Sequence, residues 1–420
     1  MSSHIGNPGI SAHPTKGLDP AALLRQLAAA PHRLLFFVGA TNVLLAMTAW
    51  AVWLINMRWA LFDFGQPAVP AGWLHAIVMQ YYVLPAFMFG FLLTVFPRWM
   101  ALPAFERKHY VPVGLGLIGG QLLTLAGTVF GLVWMQVAVA LTVVSWSIGL
   151  GLLARLVYVH GARDWHAVSC TVALTLGLCG VLMYAAFLVT FDARWMFVAI
   201  KIGTLGLLLP VYFTVCHRMI PFFAGAALPG YQARRPLWSL AVMWVTALAQ
   251  LYLEARHGYA WIWLPAGLAT AHCAWLLFRW WPRQPMPPLL RVLFVGFAWL
   301  PIAFALYAVQ SAWYATSGEF ILGRAPAHAL FVGYFGSLLV AMVTRVTQGH
   351  SGRPLVLGSV AAIAFVLVQG VAILRVVAEA MPDAMLWQAV AAIGWVVAFV
   401  PWIARSGWIY LTPRADGRTG

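Results

Sequence analysis

The stretch LHAIVMQYYVLPAFMFGFLLTVFP, residues 74–97, runs for 24 positions without one Asp, Glu, Lys or Arg. At about 1.5 Å per residue a helix of that length reaches roughly 36 Å, more than the ~30 Å hydrocarbon layer of a bilayer. The rest of the chain repeats the pattern. Hydrophobic residues fill 63% of the 420 positions and charged residues only 8%, whereas a soluble protein carries about a quarter charged residues. Lipid, not water, must therefore solvate most of this surface.

Apolar runs of span length, separated by charged or Pro/Gly-rich breaks, predict twelve helices. They lie near 34–56, 74–97, 111–130, 133–157, 167–191, 195–217, 237–253, 261–280, 290–316, 327–347, 355–379 and 385–404, with the third break placed near Gly131. Residues 1–33 are expected to form a polar tail with no apolar leader, and residues 405–420 a second tail. The expected fold class is all-α and polytopic. The net charge of +15 does not indicate nucleic acid, because the 25 Lys and Arg are scattered singly rather than gathered into a basic block. With both termini inside, nineteen of them fall on the inner side; Arg58, Arg194, Lys201, Arg256, Arg324 and Arg375 fall outside. That asymmetry is the positive-inside rule, and it predicts cytoplasmic termini. The four cysteines form no CxxC pair, so neither a disulfide framework nor a zinc site is indicated.

A weak repeat runs through the chain. The second span ends in Thr94-Val95-Phe96-Pro97-Arg98, the sixth in Thr214-Val215-Cys216-His217-Arg218, and the tenth near Thr344-Arg345. Four helices separate each from the next, which suggests three four-helix units. Pro85 and Pro210 interrupt the second and sixth spans, as in the broken binding helices of secondary transporters.

Ionisable groups at membrane depth are costly and often functional. His75 and His328 open the second and tenth spans, both of which run from outside to inside, so they share a depth near the outer surface. Imidazoles from two helices are a common way to hold haem iron. Met79, one helical turn after His75, is a candidate soft ligand. At the inner face His217 closes the sixth span, and His350 follows the tenth beside Arg345 and Arg353. These two histidines are candidate metal ligands, and the arginines suit an anionic group such as a haem propionate or a phosphate. Arg375 and Glu379, at i and i+4, should neutralise each other. Lys201 can snorkel outward or pair with Asp192. His272 reads as a satisfied core histidine.

Three stretches resemble the NnrS family of bacterial membrane proteins. His75-Ala76 and Met79, followed by Gly90-Phe91-Leu92-Leu93-Thr94-Val95-Phe96-Pro97-Arg98-Trp99, are similar to its HxHEM…GFLLTAxPxW element. Arg218-Met219-Ile220-Pro221-Phe222-Phe223 is similar to its RVIPFF element. His328-Ala329-Leu330, Met342-Val343-Thr344-Arg345-Val346 and Gly349-His350-Ser351-Gly352-Arg353-Pro354-Leu355 resemble HAL…MTRVxxGHxGRPL. The resemblance implies haem b and copper as cofactors, a bacterial inner membrane, and a role in the nitric oxide response. Where the family has a second histidine and a glutamate, this chain has Ile77 and Val78, and where it has a histidine early in the ninth span, this chain has Phe294. Haem is therefore the firmer expectation. At fold level the layout is also similar to haem–copper oxidase core subunits, which have twelve helices in a pseudo-threefold arrangement. The oxidases' further histidine on the tenth helix is Pro326 here, and their copper histidines on helices six and seven are missing. Expected partners are the bilayer, haem, nitric oxide and quinol. The competing readings are a cofactor-free secondary transporter and a quinol-linked oxidoreductase.

Overall fold

The computed structural model describes residues 20–63 and 67–417, and among these every regular element is a helix. After a short helix at Pro20–Leu27 come α1 (Pro31–Trp59), α2 (Ala71–Trp99), α3 (Arg107–Phe130), α4 (Leu132–Val159), α5 (Trp165–Thr190), α6 (Ala193–Ala227) and α7 (Trp238–Ala255). They are followed by α8 (Tyr259–Trp280), α9 (Pro288–Ser317), α10 (Ala325–His350), α11 (Ser359–Ala380) and α12 (Ala384–Leu411). Eleven of these are long and apolar enough to cross a membrane, and the chain is an all-α polytopic membrane protein. The exception is α7, with 18 residues and four polar side chains, Ser239, Thr246, Gln250 and Glu254. At 1.5 Å per residue it still covers about 27 Å. Pro236, just before its start, meets His217, and Glu254, near its end, meets Lys201 close to the start of α6. It therefore runs the length of α6 in the opposite direction.

The break between α3 and α4 is the single residue Gly131, whose φ of 106° and ψ of 175° suit glycine alone. At one end of the bundle Arg33 of α1 donates to the Tyr410 and Thr412 carbonyls of α12. At the other end Arg58 pairs with Asp383 at 2.8 Å. The first and last spans thus lie side by side, and both described chain ends share the end rich in arginine.

Helices α2, α6 and α10 are the most buried spans. Each contains a π-helical segment: Met79–Val83, Ile202–Leu208 and Ala329–Gly336. Pro85 and Pro210 directly follow the first two, and a proline both lacks an N–H and crowds the carbonyl four residues back. A widened π turn absorbs that conflict. Proline therefore bends these helices without breaking them, contrary to the interrupted spans expected from sequence. The carbonyls freed in α2 find side-chain donors. Trp146 Nε1 donates to the Tyr81 oxygen at 3.2 Å and Asn42 Nδ2 to the Tyr82 oxygen at 3.1 Å. Such replacement bonding is required where no water is available.

The four-helix repeat reappears at the arginine-rich end as a ring of contacts. Arg218 of α6 lies over Trp99 of α2, 4.1 Å from its centroid, and Arg345 of α10 lies over Phe223 of α6 at 4.0 Å. Arg98 of α2 is in electrostatic reach of His350 on α10, closing the ring. Between the three helices a cavity of about 60 Å³ is lined by apolar side chains such as Met88, Val215 and Met342.

Three sequence expectations change. α6 does not end at His217 but continues through Pro221 to Ala227, so His217 is an interior residue. α12 continues to Leu411, seven residues beyond the end expected for the twelfth span. Lys201 pairs with Glu254 at 2.5 Å, while Asp192 caps α6 and binds Arg194.

Candidate functional site

His75 and His328 lie near the end of the bundle away from the described chain ends, within electrostatic reach of each other. Gly72, one turn before His75, lies against the Arg324 guanidinium, and Arg324 is one turn before His328. Both histidines are in electrostatic reach of Arg324 and Arg375, and His328 is in reach of His75. Arg375 holds Glu379 at 2.6 Å, the expected neutral pair. The Glu379 carboxylate in turn rests on Gly323, where φ is 48° and any Cβ would collide with it.

The two rings are presented differently. His75 stacks on Trp50 at 4.4 Å with an interplanar angle of 12°. Stacking covers a face of the imidazole and leaves its in-plane nitrogens open, and among the described residues neither nitrogen is hydrogen-bonded. His75 faces a cavity of about 590 Å³ walled by Trp50, Trp53, Leu74, Val78 and Leu125, with Asp63 at its rim. His328 does not line that cavity. Its Nδ1 lies 2.9 Å from the Arg324 carbonyl. A carbonyl can only accept, so Nδ1 carries the hydrogen and Nε2 keeps its lone pair. That is how ligating histidines are usually braced. Met79 is buried in the apolar core as the first residue of the π segment.

At the arginine-rich end the predicted residues separate. His217 and His350 do not share a site. His350 packs against His32 of α1, ring centroids 4.4 Å apart, and its carbonyl accepts from Arg414 at 2.8 Å. His32 is 5% exposed with Nδ1 unpartnered, and Arg353, whose Nη1 is also buried and unpartnered, is in electrostatic reach of Arg33. Arg345 has turned away to Phe223, so it does not join His350 and Arg353.

His217 instead meets His166, a residue the sequence reading passes over. Asp164 caps α5, accepting from the His166 and Ala167 amides at 3.0 and 3.1 Å. Its carboxylate also accepts from Arg218 at 2.7 Å. His166 Nε2 lies 3.0 Å from His217 Nδ1, and His217 Nε2 lies 3.2 Å from the Pro236 carbonyl. His272, expected to be a satisfied core histidine, has a backbone hydrogen bond to Ser239. Its Nε2 is buried without a partner, and its ring sits against Trp238. The one sequence signal for His166 is its place two residues after a capping aspartate. His32 has none beyond following Pro31 at a helix start. Among the described residues no group of three or more His, Cys, Asp or Glu is set to hold a metal.

No curated protein matches this chain. A family model described as "NnrS protein" matches residues 26–414. The match takes in all twelve long helices, from α1 to the end of α12: the chain belongs to the NnrS family.

Proposed function

We propose that this chain is a b-type haem protein of a bacterial inner membrane, with the iron held by His75 and His328. We place the arginine-rich end, with both termini, on the cytoplasmic side, and its role in nitric oxide tolerance or response. The observation that carries this reading is the bracing of His328 by the Arg324 carbonyl, which aims a bare Nε2 away from its own helix at the level of His75. His75 opens onto a cavity of ligand size, and His328 stands outside its lining. The cavity beside His75, about 590 Å³, falls within the roughly 300–1,000 Å³ usual for ligand pockets. Arg324 supplies positive charge where carboxylate substituents would need it, while the charge of Arg375 is already met by Glu379.

Haem, held by His75 and His328, would supply reversible one-electron chemistry and an iron with affinity for diatomic ligands. The chain's own part is mechanical and electrostatic. Trp50 fixes the ring plane of His75, the Arg324 carbonyl fixes the tautomer of His328, and Arg375 keeps its charge beside both through Glu379. A second metal at the family's additional positions does not fit here. Ile77 and Phe294 are fully buried apolar side chains in the core, which counts against the quinol-linked reductase reading. The transporter reading loses its motive too, because α2 and α6 are continuous.

Absorption spectra of the purified protein, oxidised and reduced, test the proposal. Sharp Soret and α bands are expected, lost in His75→Ala and His328→Ala while the variants still elute as folded protein. A colourless wild type, or bands retained in both variants, refutes it. Reporter fusions at the two termini check the orientation.

A further inference from the structure

The lining residues of the His75 cavity that lie furthest toward the arginine-rich end are Ala46 of α1, Val78 of α2 and Leu125 of α3. They form an apolar floor. A residue four positions along a helix lies one turn away on the same face. One turn further toward the arginine-rich end, the three floor positions give way to Asn42, Tyr82 and Gln121. Thr128, on the cavity wall, is followed in the same direction by Thr124. A polar layer therefore sits directly beneath the floor, and all four of its side chains are 0% exposed. Tyr82 stands eleven residues after Ala71, the first residue of α2. At 1.5 Å per residue that is about 16 Å along the helix, half-way through a ~30 Å hydrocarbon layer.

The layer meets its own hydrogen-bonding needs only in part. Asn42 Nδ2 donates to the Tyr82 and Leu117 carbonyls at 3.1 and 3.4 Å. The Tyr82 hydroxyl is within hydrogen-bond reach of the Thr124 and Thr142 hydroxyls, and Thr142 donates its own hydrogen to the Ala138 carbonyl at 2.8 Å. Tyr184 of α5 comes within electrostatic reach of Tyr82. Asn42 Oδ1, both amide atoms of Gln121 and the Tyr184 hydroxyl are buried with no hydrogen-bond partner among the described residues. Leaving such atoms bare is costly, and most of all inside a bilayer. None of these side chains is charged at neutral pH, so what meets them is neutral and both donates and accepts. We infer that the layer is a binding site for water. A buried water makes about three hydrogen bonds, so the unmet atoms call for about two molecules. This short chain carries the outer aqueous phase past the cavity floor to the middle of the bundle. Gln121, with a donor and an acceptor both free, positions it. Neither His75 nor His328 belongs to the layer, so the site and the haem reading stand or fall separately.

Microsecond X-ray radiolysis of the full-length protein in detergent and heavy-oxygen water tests the inference. Hydroxyl radicals formed from bound water oxidise the side chains beside it, and mass spectrometry reads the label at each tyrosine. Tyr81 is the internal control, because it is 1% exposed and its hydroxyl donates to the Ala199 carbonyl at 2.5 Å. Tyr82 and Tyr184 are expected to label severalfold faster than Tyr81. Gln121→Leu should bring Tyr82 down toward the Tyr81 rate and lower the melting midpoint, because the groups that hold the water are gone. In a dry layer the same change would raise the midpoint, since apolar atoms would replace orphaned polar ones. Thr128→Trp, at an exposed position on the cavity wall, should slow the entry of heavy-oxygen water mixed in before the pulse and leave the final labelling rate unchanged. Labelling of Tyr82 and Tyr184 no faster than that of Tyr81 would overturn the inference. So would an unchanged Tyr82 rate or a raised midpoint in Gln121→Leu. Entry as fast in Thr128→Trp as in the wild type would overturn the route from the His75 cavity.

Discussion

Lys201→Met removes one partner of an ion pair that joins α6 to α7. Lys201 is the ninth residue of α6, about 12 Å below its start at 1.5 Å per residue. Glu254 is 4% exposed, and its remaining partner is Gln250, whose Nε2 donates to Oε1 at 2.9 Å. Leaving a buried carboxylate without its cation costs about 3–5 kcal/mol. The Gln250 bond places the expectation near the lower figure. Glu254→Gln is asymmetric to this, because a carboxamide oxygen still accepts from Gln250 and Lys201 can reach the interface; about 1 kcal/mol is expected for one charge-assisted bond weakened. The double variant Lys201→Met, Glu254→Gln should be more stable than Lys201→Met alone, since no uncompensated charge remains. Equilibrium unfolding in mixed micelles, read by tryptophan fluorescence, gives all three values. A Lys201→Met cost under 1 kcal/mol, or one no larger than that of Glu254→Gln, would show that the pair is solvated and that α7 does not cross with α6.

Three further outcomes are expected. Trp146→Phe removes the donor to the Tyr81 carbonyl, which Pro85 has already deprived of its helical partner; an orphaned carbonyl costs about 1–3 kcal/mol before any cavity is counted, and a loss under 0.5 would mean another donor takes over. Gly131→Ala meets no atom within 4 Å, so its cost is backbone strain of about 1–3 kcal/mol, whereas Gly151→Ala, in equally open space but helical, should stabilise by about 0.5–1 kcal/mol; equal effects would refute the reading of the α3–α4 break. The Asp383 carboxyl is held below the usual range by the Leu386 amide and by Arg58. Its contribution is therefore present above the unfolded value near 3.9 and lost as pH falls through the folded one. Asp383→Asn should remove that part of the acid sensitivity in a pH series of melting curves.

The number and order of the long helices, and the division of charge between their ends, were legible in the sequence. Each follows from a local rule: an apolar run must be long enough to cross, and a free cation stays on one side. Gly131 could be placed because one residue between two long apolar runs must turn the chain. The pairing of Arg375 with Glu379 was legible for the same reason, since i and i+4 share a helix face. That His75 and His328 lie in electrostatic reach of each other needed one step more, the equal depth of two helices running in the same direction.

What only the tertiary structure decided are matters of azimuth, which linear spacing does not encode. Whether a residue at a helix end turns toward one neighbour or another depends on packing across the bundle. Thus His350 faces His32 and His217 faces His166, though depth alone grouped His217 with His350. Arg345, five residues before His350, points to a different helix. Lys201 found Glu254 rather than Asp192 because α7 lies against α6 along its length. Proline read as a break became a π turn, since neighbouring helices supplied Trp146 and Asn42 to the freed carbonyls. Depth is a property of one helix and its sequence; rotation about the axis is settled by the neighbours.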